Sequence, residues 1–431
     1  MLALFPGRDS SLQNGSATRS RSLRRSRTGL RPRIETLEEK LAPAVYVWTG
    51  AVDALMSNPA NWSTAGAPAS AAPDGDDDLV FSSAGAIKAV SNDLDNAAFQ
   101  SVQFQDPGYV LSGHDFTLQN AISASQNATI AAGITLDPGP LNAFVAPWVQ
   151  LKIEGALTGP GSLVKTGQGT LTLYAASSYA GATHLQAGML LAGVANVLPA
   201  STALTVDDGA AFNLWNHDQR IGSLAGGTSN VDLGSATLTV GDATDTVYNG
   251  MLTGPGGSLV KVGTGSLTLT YFSTYNGPTR VAEGTLRIDG SIEPTPTLVV
   301  EAGATLSGRG SIGSILVAGT VIPGDASNRG SLFVKNATFL PGSRYMVNIT
   351  GPNAGPSYGV LSVSGTADFS GATLQLASPY DGSPLTIVRN DGDIPFTTSF
   401  NGLSDGSTSR CWAGPTCSTT TKRWATGRTT P

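Results

Sequence analysis

The sequence predicts an all-β protein whose strands stack in parallel as a β-solenoid. Residues 159–173 return almost unchanged as residues 254–269, with glycines, leucines and one lysine in the same order. A shorter pattern, Gly-Thr-Leu or a close variant, recurs roughly every 19 to 21 residues, which is the length of one solenoid coil. The composition agrees, because 53 glycines, 13% charged residues and no long run of helix formers favour strands and turns.

Residues 1–44 are predicted to be a disordered basic segment with a targeting role. Eight arginines precede Ile34, against a single acid, Asp9. Charge runs of this kind are typically solvated tails, and binding to a polyanion is the alternative. The apolar start at residues 1–6 is too short for the core of a secretion signal, and the arginines follow it instead of preceding it.

A short motif closes this basic segment. Residues 31–43 resemble the LEPR-type motif found near the N-termini of long planctomycete surface proteins, with Leu37, Glu38 and Leu41 in matching positions. The following Glu-Lys pair departs from the usual Pro-Arg. A short amphipathic helix is the alternative interpretation.

Residues 45–147 are predicted to form an N-terminal β cap and the first coils. Short runs rich in Val, Phe and Tyr alternate there with Asn, Asp, Pro and Gly, which is the pattern of strands and turns. The end of a solenoid has an unpaired sheet edge and an open core. We therefore expect the aromatic side chains of this segment to close it.

Residues 148–376 are predicted to be the repeat array. Strand residues alternate between core and solvent, so Leu171 and Leu173 should point inward. Glycine supplies the corners that need a positive φ. A sandwich or barrel would show hairpin signals about every 8 to 12 residues, and its turns would not stay identical between two such distant copies.

Residues 377–409 continue as a C-terminal β segment, whereas residues 410–431 break the pattern. Both cysteines, Cys411 and Cys417, lie in this tail, which shows no alternation. We expect the tail to be disordered, and its abrupt composition suggests a coding sequence read out of frame. With no cysteine in the body, the fold depends on neither a disulfide nor a thiolate-bound metal.

The repeated unit resembles the passenger-associated transport repeat, also called the autotransporter-associated β-strand repeat. Its pattern Gly-x-Gly-x-Leu-x-Lys-x-Gly-x-Gly-Thr-Leu-Thr-Leu, followed by Tyr-x-Gly-x-Thr and Gly-Thr-Leu, corresponds to residues 159–190 and 254–286. Lys165 and Lys261 occupy the lysine position. The resemblance implies a secreted or surface-exposed, right-handed parallel β-helix. In autotransporters such repeats are associated with export of the passenger.

Few residues offer metal chemistry. Residues 74–78, Asp-Gly-Asp-Asp-Asp, could supply oxygen ligands to calcium, but no glutamate completes an EF-hand loop. A solvated turn is therefore favoured. His114, His184 and His217 are isolated and lack metal-ligand spacing. We predict no metal site.

Three further motifs are typical of enzymes. Residues 308–313 fit a dinucleotide fingerprint and residues 355–359 a nucleophile elbow, but each motif needs a preceding strand and a following helix. Lys165 and Lys261 could serve as the base of a polysaccharide lyase. Their fixed place in the repeat favours exposed structural positions instead, and a lyase would also need clustered acidic metal ligands. We predict no catalytic residue, no cofactor-binding residue and no cofactor.

Together these patterns predict a non-enzymatic structural or adhesin-like protein located outside the cell or at its outer envelope. The body between residues 34 and 409 carries thirteen basic and thirty acidic residues, which disfavours nucleic acid as a partner. No window approaches the roughly 18 apolar residues of a transmembrane helix. Cell-envelope components or surface glycans are the expected partners. The alternative is a glycan-active β-helix enzyme, a lyase or hydrolase, with a convergent cluster in a groove.

Overall fold

A computed structural model describes residues 43–377 except 326 and 328, and residues 385–392, 400–401, 409–411 and 417–419. These residues belong to the second of two compact units, which spans residues 42–431. The basic segment, nearly all of the LEPR-type motif and most of the tail lie outside the described residues. The predictions for those segments, and the predicted boundaries near residues 147 and 376, stay predictions.

The described residues form 41 β-strands, a single 3-10 turn at Pro59–Asn61 and no α-helix. Strands β1 to β8 are Val45–Trp48, Trp62–Thr64, Ala67–Pro68, Asp78–Phe81, Ala89–Asn92, Ala98–Phe104, Tyr109–Gly113 and Phe116–Ala124. Strands β9 to β25 are Ala128–Ile130, Ile134–Leu136, Pro140–Val145, Gln150–Ile153, Leu157–Thr158, Ser162–Thr166, Thr170–Leu173, Thr183–Leu185, Met189–Ala192, Ala203–Val206, Ala211–Asn213, Gln219–Ile221, Ser223–Gly226, Asn230–Asp232, Thr237–Val240, Thr246–Tyr248 and Met251–Thr253. Strands β26 to β41 are Ser258–Lys261, Ser266–Leu269, Thr279–Val281, Thr285–Ile288, Ser291–Val300, Thr305–Gly308, Ser311–Val317, Thr320–Pro323, Gly330–Phe339, Arg344–Asn348, Gly359–Val363, Ala367–Asp368, Thr373–Ala377, Val388–Asn390, Ser409–Cys411 and Cys417–Thr419.

These strands stack in parallel on the faces of a β-solenoid, as the sequence predicts. Face A runs from β1 and β4 through β14, β16, β18, β21, β24 and β27 to β38. Face B is the sheet from β5 to β25, and face C is the sheet from β20 to β39. Partners in adjacent coils lie about 20 residues apart, as Leu163, Thr183 and Leu204 do on face A.

A continuous apolar core lies between the faces. Leu171 and Leu173 of β15 are buried, as the alternation predicts. Leu171 stacks on Leu190 in the next coil, and Leu190 stacks on Phe212 in the coil after it. Each such side chain contributes about 2 kcal/mol by leaving water, so the ladder of inward residues holds the coils together.

Aromatic side chains close the N-terminal end. β1 pairs in parallel with β4, but its other side pairs antiparallel with β2, which pairs antiparallel with β3. The buried rings of Trp48 and Trp62 meet edge to face, with centroids 4.9 Å apart. Their indole N–H groups donate to the carbonyls of Ile87 and Met56. The predicted aromatic-rich cap is confirmed.

The two copies of the repeat occupy different faces. The Ser-Leu-Val-Lys segment lies on β14 of face A in the first copy and on β26 of face C in the second. The ladder that starts at Leu163 therefore leads along face A to Leu267, the counterpart of Leu171, and not to its own counterpart Leu259. The spacing of the copies is not a whole number of coils, so the second copy is rotated by one face.

The coils become irregular in length toward the C-terminal end. β30, β32 and β34 have 10, 7 and 10 residues, and β30 contains a register shift between Ile292 and Thr297. Tyr345 pairs with Leu374, so this coil is longer than the predicted length of about 19 to 21 residues. β40 and β41, most of whose residues belong to the predicted tail, form an antiparallel pair.

Candidate functional site

The repeat lysine, the strongest chemical lead in the sequence, is buried in a corner of the solenoid. Lys165 has no exposed surface. Its Nζ donates to the carbonyls of Thr166 at 2.8 Å, Gly167 at 2.8 Å and Ala187 at 3.1 Å. The first two carbonyls lie where β14 ends and its corner begins, and the third belongs to the same corner one coil later. One ammonium group thus ties two consecutive coils together.

The second copy repeats this geometry at a different edge. Lys261 is 1% exposed, and its Nζ donates to the carbonyls of Val262 at 2.6 Å, Gly263 at 2.8 Å and Glu283 at 3.3 Å. The expectation that both lysines are exposed is wrong. Strand alternation places each lysine on the same side as the leucine two residues earlier, which for Lys261 is the fully buried Leu259.

This environment leaves the lysines unsuited to proton abstraction from a substrate. Burial lowers the pKa of Lys165 to about 8. Burial also lowers the pKa of Lys261, against the opposing effect of the Glu283, Asp242 and Asp245 carboxylates. A general base must come within hydrogen-bond reach of the substrate proton, whereas each of these amines directs its three donors at backbone carbonyls. The geometry assigns them a role in holding the corner.

The glycines of the motif let the corners approach. Gly188 follows the carbonyl that Lys165 binds and has φ +69°. A Cβ at this position would lie 2.5 Å from the carbonyl oxygens of both Gly167 and Gly169. Only glycine therefore fits, for reasons of conformation and of space.

The Tyr-x-Gly-x-Thr part of the motif forms a buried pair in each copy. The hydroxyl of Tyr275 bonds the Thr279 hydroxyl at 2.7 Å, and Tyr179 pairs with Thr183 in the same way. Burial raises the pKa of Tyr275 to about 12. The lysine and the Tyr-Thr pair that the copies share are thus used inside the fold.

The acidic run at residues 74–78 is a turn bonded to its own backbone. Asp77 is 6% exposed and accepts hydrogen bonds from the N–H groups of Ala44 and Asp74, both at 2.9 Å. The turn is therefore anchored to the start of β1 and is not solvated throughout. Within the described part of the chain, no group of three or more His, Cys, Asp or Glu side chains could hold a metal ion.

The three histidines stay apart, and each has its own neighbour. These neighbours are Asp207 at 2.9 Å from His184, Asp95 at 3.3 Å from His114, and the ring of Trp215 at 6.5 Å from the ring of His217. No two histidines share a partner among the described residues.

Neither glycine-rich motif has the structure that its enzymatic role needs. Residues 308–313 join β31 to β32, and Gly308 forms a backbone bridge with Gly324. Residues 355–359 lead from a turn into β36. No helix follows either segment in the described structure, so neither can bind a dinucleotide or present a nucleophile in the usual way.

A groove that the sequence did not indicate lies on the C-terminal coils. It encloses about 330 Å³. Glu293, Lys335 and Asp391 place charged groups along it, and the ring of Phe333 is 44% exposed. Ser362 also lines it and is only 1% exposed, and its hydroxyl has no hydrogen-bond partner among the described residues.

Sequence reasoning missed this groove because strand register alone brings its residues together. Phe333 of β34 and Ser362 of β36 are direct partners. Asp391 follows β39, which pairs with β36. The one available signal was the alternation of apolar and other residues along β34. It indicates that Phe333 and Lys335 face outward, on a strand whose other side is buried.

Comparison with known proteins identifies the repeats. The family model of the passenger-associated-transport-repeat matches residues 163–192 and 259–288. Each match contains the buried lysine and the corner glycine of the next coil. The chain therefore carries two of these repeats, which confirms the resemblance seen in the sequence.

The chain is also similar to proteins named as autotransporters. The chain is 34% identical over 211 residues to the adhesin BmaC autotransporter of Brucella suis biovar 1 (strain 1330), covering 47% of this chain and 6% of that protein. It is 31% identical over 227 residues to the probable autotransporter YfaL of Escherichia coli (strain K12), covering 48% and 17%. It is 41% identical over 96 residues to an extracellular serine protease of Serratia marcescens, covering 22% and 9%. The chain thus spans less than a fifth of the length of each of these relatives.

The repeats and the autotransporter relatives confirm the predicted location, which is outside the cell or at its surface. In the part of the chain that the structure describes, no helix is long and apolar enough to cross a membrane.

Proposed function

We propose that this chain is a non-enzymatic, surface-exposed stalk of the adhesin type. The observation that carries the proposal is the use of the repeat lysines. Lys165 and Lys261 are the best candidates for chemistry in the array, and both are engaged with the carbonyls of two consecutive coils. The array therefore acts as a scaffold that extends one coil at a time.

The relatives support this proposal to different degrees. One is named as an adhesin and a second as a probable autotransporter, and each aligns with nearly half of this chain. The third is named as a serine protease, but it aligns with 22% of this chain. A serine protease needs a histidine within hydrogen-bond reach of its nucleophile. Among the described residues, Nε2 of His184 contacts Asp207 and Nδ1 contacts Gln186. Both ring nitrogens are therefore engaged with residues other than a serine.

Bead adhesion tests the proposal directly. Fluorescent beads coated with the full chain should remain on cell surfaces after washing, and an excess of free chain should displace them. Albumin-coated beads are the control. Retention no greater than that of the control would contradict an adhesive role.

A turnover screen tests the non-enzymatic part. The full chain should release no reducing ends or unsaturated products from a panel of polysaccharides and no peptides from casein. Turnover proportional to protein concentration would contradict the proposal. If that turnover is lost in Glu293→Gln or Asp391→Asn, the alternative of a glycan-active enzyme would replace it, with the groove as its site.

A further inference from the structure

We propose that the groove on the C-terminal coils binds a neutral glycan, which it recognises through the hydroxyl groups and the apolar face of a pyranose ring. The inference rests on the proposed function, because an adhesin needs a ligand site and the repeats supply none. The groove is the feature of the described structure in which charged, aromatic and unpaired hydroxyl groups meet.

The buried hydroxyl of Ser362 is the first argument. Its four neighbours on β36 are buried as well, so the hydroxyl lies in an environment that favours an apolar side chain. A buried hydroxyl without a hydrogen-bond partner destabilises a fold, because its hydrogen bond to water is lost and not replaced. A ligand hydroxyl in the groove would supply the missing hydrogen bond.

The charged groups argue for a neutral ligand rich in hydroxyls. Glu293 and Asp391 can only accept hydrogen bonds, and Lys335 can only donate them. Within the described structure none of the three forms an ion pair, so all are available. A hydroxyl group both donates and accepts, and therefore suits a site that presents both kinds of partner. An anionic ligand would meet two carboxylates, and a cationic ligand would meet the lysine.

Phe333 supplies the apolar contact. Its ring is 44% exposed and lies on the strand position that pairs with Ser362. Exposed aromatic rings favour contact with flat apolar surfaces, and one side of a pyranose ring carries C–H groups. The hydroxyl and the ring are therefore placed to contact the edge and the face of the same sugar.

The groove is also preformed. Its volume of about 330 Å³ lies within the usual range of small-molecule sites, about 300 to 1,000 Å³. Four of its strands, β32, β34, β36 and β39, are held by the parallel ladder of face C. Glu293 lies at the register shift of β30 and precedes Pro294. A site built on rigid strands loses little entropy when a ligand binds.

Calorimetric titration of the full chain tests the proposal. Maltohexaose, mannohexaose and chitohexaose serve as neutral probes, and we expect at least one of them to bind. Phe333→Ala should weaken that binding by about tenfold or more, because it removes the aromatic surface, and Ser362→Val by about fivefold or more, because it removes the hydroxyl. Phe144→Ala is the matched control, since Phe144 is 42% exposed on face A, and it should bind as the unsubstituted chain does.

Several results would overturn the proposal. It fails if no probe binds, if a lysine-rich peptide binds but no saccharide does, or if the groove variants bind like the control while keeping the thermal unfolding of the unsubstituted chain. Bead adhesion without glycan binding in the groove would contradict this inference but not the proposed function. Turnover of a bound probe would contradict the non-enzymatic function, but it would support the groove as a glycan site.

Discussion

At the scale of single residues, the buried lysines need an energetic explanation. Moving an ammonium group out of water costs several kcal/mol, and neither Lys165 nor Lys261 has a carboxylate within ion-pair distance in the described structure. Hydrogen bonds to a charged donor contribute about 1.5 to 3 kcal/mol each. Three such bonds per lysine are enough to offset the desolvation, so the fold tolerates the buried ammonium groups.

Replacing Lys165 with methionine should loosen the corner that it holds. Three carbonyls would lose their shared donor, while the cost of burying the charge would disappear, which leaves a net loss of about 2 kcal/mol. Hydrogen exchange of the amides near Gly188 should become roughly 10- to 100-fold faster. Lys152→Met is the control, because Lys152 is a half-buried lysine on the outward side of β12. Unchanged exchange in Lys165→Met would show that the three bonds contribute nothing.

Because several tyrosines are buried, we expect the chain to lose stability in alkali. Burial raises the pKa of Tyr248 and Tyr275 to about 12 and raises the pKa of Tyr179 and Tyr345 as well. In the unfolded chain tyrosine ionises near pH 10. Above pH 10 the unfolded state therefore loses protons that the folded state keeps, and the free energy of unfolding falls as pH rises from 10 toward 12. Below pH 10 this contribution is fully present.

Tyrosinate absorbance and far-ultraviolet circular dichroism, recorded together, check this prediction. The buried tyrosines should ionise only as the β signal disappears. Ionisation of all tyrosines near pH 10 in a folded chain would contradict the burial described above.

At the scale of the element, the corner is the unit that repeats. It combines a lysine at the end of one strand, a glycine with positive φ after it, and a second such glycine one coil later. In the second copy these residues are Lys261, Gly263 with φ +69° and Gly284 with φ +67°. The close stacking of the glycines brings the carbonyls within reach of the ammonium. The motif is conserved between the copies because each part depends on the others.

Gly284→Ala should destabilise the solenoid more than Gly303→Ala. Both positions have positive φ, which costs about 1 to 2 kcal/mol for alanine. At Gly284 the added Cβ would also lie 2.4 Å from the carbonyl oxygens of Gly263 and Gly265, whereas at Gly303 it would meet nothing within 4 Å. Thermal unfolding should show a clearly lower midpoint for Gly284→Ala. Equal midpoints would mean that close stacking of the corners does not matter.

The elements also mark the limit of prediction from sequence. The Gly-Thr-Leu pattern predicted strands and inward leucines correctly, since alternation depends on neighbouring residues only. It did not predict that the lysine points inward, because burial of a charge depends on carbonyls from the next coil, such as that of Ala187. Alternation from Leu163 to Lys165 would have indicated the inward side. The prediction of exposed lysines rested instead on their fixed place in the repeat, which a buried structural position explains equally well.

At the scale of the whole molecule, some features of the solenoid can be predicted from the sequence and others cannot. The N-terminal end and the repeats are predictable, since aromatic closure and stacked coils follow from composition and period. Two features are not predictable, namely the rotation of the second copy by one face and the groove around Ser362. Both depend on the exact lengths of the intervening coils. The lengths of the coils between the two copies decide on which face the second copy begins. Function can thus differ between solenoids that share the same repeats.

The central claim, that the repeat lysines are buried links between coils, is tested most directly by amine labelling of the native chain. Brief treatment with an acetylating reagent, followed by peptide mass spectrometry, reports the access to each lysine. Lys152 and Lys335 should be modified in the folded chain, whereas Lys165 and Lys261 should react only after unfolding. Modification of Lys165 and Lys261 at the rate of Lys335 in the folded chain would show that they are exposed, and would contradict the claim.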